Sequence, residues 1–167
     1  MTSNGRRSDG HRALHEELVQ HLVRCMEQQG LTIEAADAPG YRKPRPFKRF
    51  GLGSSRLRPD VVARDGRRTI FGAAKCASEI GEARVSVELD KLAGKSRLLV
   101  VCIPEAGADE TIETLFHRTP MPHRQKIRLL RYPKTRWEEI PKSALRKLHH
   151  PDPLTLVHVR DEQAEDY

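Results

Sequence analysis

The feature that most narrows the fold is a short one. Leu98 to Ile103 is six apolar residues in a row, Leu-Leu-Val-Val-Cys-Ile, with no polar interruption. A strand with one wet face alternates apolar and polar positions, whereas an unbroken valine-rich run reads as a central strand covered on both faces. Pro104 ends it, because proline cannot donate to a strand ladder. A sheet centre buried on both sides needs helices on both faces, so the expected class is α/β: a mixed central β-sheet flanked by helices. The run is also the longest apolar stretch in the chain, well short of the ~20 residues that span a bilayer. Arg6 and Arg7 have no apolar stretch behind them, so no secretory signal is expected. The expectation is a cytoplasmic protein without a membrane partner.

Around that strand the sequence lays out the other elements. From His11 to Gln29, Leu14, Leu18, Leu22, Cys25 and Met26 fall on one face at helical spacings, and Gly30 follows as a stop. Leu31 to Ala36 alternates like a strand. Val61 to Ala63 and Arg68 to Lys75 flank Arg64-Asp65-Gly66-Arg67, and Asp-Gly is the strongest short hairpin signal. Ser78 to Ala93 reads as one helix stopped by Gly94, and Asp109 to His117 as a shorter one. Ile127 to Tyr132 is a further strand, Trp137 to Leu148 a weakly capped helix, and Leu154 to Arg160 a last strand. The organisation expected is a disordered Met1–Gly10, a single domain over 11–160, and an acidic tail over 161–167. At 167 residues such a domain buries enough surface to need no disulfide or structural metal. The three cysteines, Cys25, Cys76 and Cys102, form no Cys-x-x-Cys pair. They read as small buried thiols in a reducing compartment, not as a zinc ribbon or a disulfide framework.

Charge singles out one segment. The chain carries 30 Lys and Arg against 23 Asp and Glu, a net +7. The segment Ala38–Pro59 holds Arg42, Lys43, Arg45, Lys48, Arg49, Arg56 and Arg58 and no acid, so it accounts for the entire excess. Cations neutralise phosphates, and the aromatics among them, Tyr41, Phe47 and Phe50, are of the type that stacks on bases. A loop longer than about 12–15 residues is usually functional or disordered. These seven residues are the candidate nucleic-acid contacts. A module docking an acidic protein partner is the competing reading.

The hairpin carries the chemistry. Asp60 follows Pro59 at the start of one strand, and Lys75 ends the next in Gly72-Ala73-Ala74-Lys75. A turn near Gly66 brings the two to the same open end. A carboxylate there suits Mg²⁺, which takes oxygen ligands and activates water, and a lysine can orient that water or steady developing charge.

Pro59-Asp60 followed by a Gly-x-x-Lys strand end resembles the PD-(D/E)xK nuclease superfamily, with its restriction-endonuclease-like core. The helix-strand-hairpin-helix-strand order matches from about His11 to Ile103. The resemblance implies a metal-dependent endonuclease hydrolysing DNA, duplex or branched, with Mg²⁺ or Mn²⁺, as a homodimer or within a larger assembly. It implies catalytic positions at Asp60, Ala73 and Lys75, and metal positions at Asp60, Ala73 and Ala74. Ala73 stands where the family has an acid, and a methyl group cannot hold Mg²⁺. The resemblance therefore implies an inactive form, or a non-catalytic nucleic-acid-binding subunit. The family often adds a glutamate from the first helix. Glu17 flanks the apolar face, Glu16 lies nearly opposite it, and Glu17 is the favoured candidate. His11 and His15 are spaced i, i+4, which suits a metal but lacks an evident third ligand. Glu88 and Lys91, on the second helix, are further cleft candidates.

Overall fold

Alternation along the central strands sorts their side chains into two cores. In the computed structural model, which describes residues 9–47, 57–117 and 121–140, six strands form one sheet in the order of the sequence. They are β1 (Thr32–Ala36), β2 (Val61–Asp65), β3 (Arg68–Ala74), β4 (Leu98–Pro104), β5 (Ile127–Tyr132) and β6 (Glu138–Glu139). The β1/β2 and β2/β3 pairs are antiparallel, β3/β4 and β4/β5 parallel, and β5/β6 antiparallel. A mixed sheet follows because a tight turn at Gly66, with φ +59°, joins β2 to β3, while helical crossovers join the parallel strands.

On one face lies α1 (Asp9–Gln28). Its Leu18, Leu22 and Met26 pack with Val61, Ala63, Ile70, Ala74, Val100 and Cys102. On the other face lie α3 (Ala83–Gly94) and α4 (Ala108–His117). There Val85, Leu89, Ile112 and Phe116 pack with Phe71, Ala73, Leu99, Val101 and Ile103. Leu99 to Ile103 are each at most 1% exposed, as the unbroken apolar run requires. Each large side chain so buried contributes roughly 1.5–3 kcal/mol.

The described residues depart from the sequence expectations in three places. The first helix starts at Asp9, so Asp9 and Gly10 are helical and not part of a disordered leader. The expected helix over Ser78–Ala93 is two, α2 (Ala77–Ile80) and α3, broken at Gly81 and the extended Glu82. Ile80, Val85, Leu89 and Leu92 all enter one core. In a continuous helix, residues 80 and 85 would stand about 140° apart. The break lets Ile80 turn inward without burying Arg84. Third, Glu138 and Glu139 are a strand paired with Leu129 and Arg128, not the start of a helix from Trp137. Glu138 meets Arg131 at 2.5 Å and Glu139 meets Arg128 at 3.6 Å, cross-strand ion pairs that a helix would not offer. The rest of that expected helix, the strand expected at Leu154–Arg160 and the acidic tail lie outside the described residues. No helix among the described residues is long and apolar enough to cross a membrane.

Candidate functional site

The hairpin delivers Asp60 and Lys75 to one end of the sheet. The β2/β3 register pairs Val61 with Gly72, and the Asp60 amide donates to the Gly72 carbonyl at 2.9 Å, so Asp60 stands across from Ala73. The Lys75 amide donates to Cys102 O at 3.0 Å, which holds the end of β3 against β4. Gly72 is needed here for space. A β-carbon on it would lie 2.6 Å from Leu22 Cδ2 and 3.0 Å from Val61 Cβ. Its absence lets α1 lie close against the hairpin.

The two side chains then turn to different neighbours. Asp60 Oδ2 accepts from the Ala74 amide at 2.8 Å, and Oδ1 lies 3.5 Å from Nε2 of His15 on α1. Lys75 reaches to the other layer, with Nζ 3.7 Å from Glu88 Oε2 on α3. Its side chain is only 15% exposed. The hydrogen bond to Asp60 is the largest cause raising the His15 pKa above the ordinary imidazole value; the Asp60 and Glu79 charges add to it, while burial and Lys75 oppose it. Asp60, Lys75 and Glu79 therefore all lie within electrostatic reach of His15.

Ala73 faces the α3 layer, as does Lys75, in keeping with strand alternation. It is 2% exposed, in the core that holds Ile80, Val85 and Leu89. Ala74 points into the α1 core and contributes its amide to Asp60.

Glu17, the expected helical acid, is directed elsewhere: it accepts the hydroxyl proton of Tyr132 at the end of β5. Glu16 pairs with Arg12 on the surface at 3.7 Å. The α1 residue that meets Asp60 is His15. The sequence signal for it was the His11/His15 spacing, whose second member borders Leu14 and Leu18 on the buried side of the helix. Among the sequence-predicted metal positions, Asp60, Ala73 and Ala74, Asp60 is thus the one carboxylate, and its oxygens contact the Ala74 amide and His15. A divalent ion held here would have that carboxylate as its one side-chain ligand from these positions, with waters completing the oxygen shell that Mg²⁺ requires.

The basic segment is partly neutralised. Arg58 lies 3.1 Å and Lys43 4.0 Å from the Asp37 carboxylate, just before the acid-free stretch. Arg42 and Arg45 are exposed. Two of the three aromatics serve the protein itself. Tyr41 donates to Glu27 Oε1 at 2.8 Å. Phe47 packs on Phe71 at 5.5 Å between ring centroids, under Lys95, and pairs with Leu57 in an isolated bridge. Lys48, Arg49, Phe50 and Arg56 lie outside the described residues.

Comparison with protein-family models, curated proteins and solved structures gives no significant match to this chain.

Proposed function

We propose that the chain is a DNA-directed domain of the metal-dependent endonuclease type, held in a non-cleaving form by Ala73. The observation that carries this reading is the placement of Asp60, Ala73 and Lys75 at one end of the β2/β3 hairpin. The element order around it, α1 through β4, is the one the nuclease resemblance calls for. The acid-free cationic segment leads directly into Asp60 and supplies the phosphate-binding charge. Bound to this domain, DNA would be positioned by Arg42, Lys43, Arg45, Lys48, Arg49, Arg56 and Arg58.

A second reading is a non-catalytic nucleic-acid-binding subunit of a larger assembly, in which alanine is the working residue at position 73. It is favoured by the burial of the Ala73 methyl and by the engagement of both Asp60 oxygens.

The experiment compares the chain with its Ala73→Glu variant on linear, circular, single-stranded and branched DNA, with Mg²⁺ or Mn²⁺ and with a chelator. DNA binding by both, and chelator-sensitive cutting by the glutamate form alone, supports the endonuclease design. Binding by both without cutting favours the second reading. Competition with an acidic polypeptide separates DNA recognition from general attraction to negative charge. Absence of DNA binding at low salt, where phosphate contacts are strongest, overturns both.

A further inference from the structure

A second group of ligating side chains lies beside the hairpin end, and the proposed function does not use it. His11 on the first turns of α1, Cys76 at the start of α2 and Glu79 on α2 each offer one ligand atom, and these atoms lie within 4.8 Å of one another. Cys76 is buried at 3% exposure. The Nδ1 atom of His11 is also buried and has no hydrogen-bond partner. An unsatisfied buried polar nitrogen destabilises the fold, and coordination through that atom would remove the cost. Glu79 Oε2 accepts from the Cys76 amide at 2.9 Å, which turns the carboxylate back toward Cys76.

We propose that His11, Cys76 and Glu79 form a mononuclear Zn²⁺ site with the fourth position open to water. Imidazole, thiolate and carboxylate are all zinc ligands, and three protein ligands plus a water is the arrangement of a zinc site that keeps an open position. Thiolate and imidazole discriminate against Mg²⁺, which prefers oxygen. A tetrahedral ion of this kind spaces its ligand atoms roughly 3.4–3.6 Å apart, so small side-chain rotations close the observed cluster. On binding, the Cys76 thiol releases its proton to solvent and a zinc–sulfur bond forms. The ion would tie the start of α1 to the β3/α2 junction. Its ligands are distinct from Asp60, and its test does not involve DNA.

The test uses the full chain freed of any affinity tag and stripped with a chelator. Zn²⁺ is titrated by calorimetry, and Co²⁺ serves as a spectroscopic probe. The expected result is one equivalent of Zn²⁺, a thiolate-to-cobalt charge-transfer band, and a rise in the melting temperature of the zinc-loaded chain. His11→Gln and Cys76→Ser should each weaken Zn²⁺ binding roughly 100-fold or more, since even residues that only support a ligand cost 10–100-fold. Cys76→Ser should abolish the band. Cys25→Ser, at a buried thiol hydrogen-bonded to His21, should leave affinity and band unchanged. Should Cys76→Ser not fold, His11→Gln, on the first turns of α1, carries the comparison, with circular dichroism of the metal-free protein as its folding control. The proposal is overturned if the wild type takes up no Zn²⁺, if His11→Gln binds as tightly as wild type, if Cys25→Ser removes the band, or if Mg²⁺ displaces Zn²⁺ at similar concentration.

Discussion

His15 Nε2 on the first helix stands 3.5 Å from Asp60 Oδ1 at the head of the second strand, and this contact, not one with a glutamate, joins α1 to the hairpin end. The carboxylate favours the imidazolium, so the folded pKa of His15 is raised above its ordinary value, chiefly through the hydrogen bond to Asp60. The stabilisation from this pair is fully present below the unfolded histidine pKa, near 6.5. It is lost as pH rises through the higher folded value. Asp60→Asn should lower the His15 pKa, because it removes the largest raising causes and leaves the opposing effect of burial. Histidine NMR titration reads the shift directly. Urea unfolding should show a larger penalty for Asp60→Asn near pH 5.5 than near pH 9. An equal penalty at both, with an unmoved His15 titration, would show that the contact has no energetic consequence.

Gly72→Ala tests the packing that places His15. Its backbone is not in the left-handed region, so conformational freedom is not what requires glycine there. The added methyl meets Leu22 at 2.6 Å, Val61 Cβ at 3.0 Å and Met26 Cε at 3.1 Å. Leu22 and Met26 can give a little, but Val61 is fixed by the ladder. Overpacking of this kind costs roughly 1–3 kcal/mol. Chemical denaturation should show the loss, and the His15 pKa should move toward its ordinary value as α1 lifts from the hairpin. A variant as stable as wild type would mean that the α1 interface is looser than these distances indicate.

The sheet and its two covered faces were legible in the sequence because the signals are local and strong: the Leu98–Ile103 run, the Asp65-Gly66 turn, the leucine spacing of α1. The junctions were less so. A four-residue helix followed by a break at Gly81 has the same periodicity as one long helix until the core shows which way Ile80 must face. Glu138 and Glu139 have poor intrinsic strand preference, and only the arginines Arg128 and Arg131 on the neighbouring strand explain their pairing. At the site, the positions of Asp60 and Lys75 followed from hairpin arithmetic. Their partners did not, because which of two adjacent helical residues reaches a strand end depends on how α1 is rotated over the sheet. Asp37 lies one residue outside the acid-free stretch, and only the fold shows that it folds back on Lys43 and Arg58.

That folding back gives a prediction for binding. Asp37 holds two of the cations assigned to DNA and adds a negative charge to the same surface. Asp37→Asn should tighten DNA binding about two- to fivefold at moderate salt, the scale of exposed ion pairs. It should also steepen the salt dependence, by about 0.9 for each cation that gains a phosphate contact. Replacing Arg42 and Arg45, both exposed, with alanine should do the reverse. Fluorescence anisotropy at several salt concentrations measures both. Weaker binding by Asp37→Asn would mean that the Asp37 pairs shape the contact surface and do not compete with it.

Ala73→Glu has a stability cost that must be measured alongside its activity. The methyl it replaces is 2% exposed, in a core with Ile80, Val85 and Leu89. A carboxylate placed there loses hydration, and the cation two residues along its own strand, Lys75, is already paired with Glu88. Burial disfavours the charged form of an acid and raises its pKa. The penalty should therefore be small below the unfolded glutamate pKa, near 4.3, and grow as pH rises above it. At neutral pH the expected destabilisation is about 1–3 kcal/mol, the cost of an incompletely satisfied buried polar group. Ala73→Gln, of the same size and uncharged, should show no such rise with pH. Adding Glu88→Gln to Ala73→Glu should recover part of the loss, because Lys75 then has the new carboxylate as its partner. Wild type, Ala73→Glu, Glu88→Gln and the double variant form a double-mutant cycle measured by urea unfolding. Zero coupling between positions 73 and 88 would show that a side chain at 73 does not reach Lys75, and that cleavage by the glutamate form must not be expected.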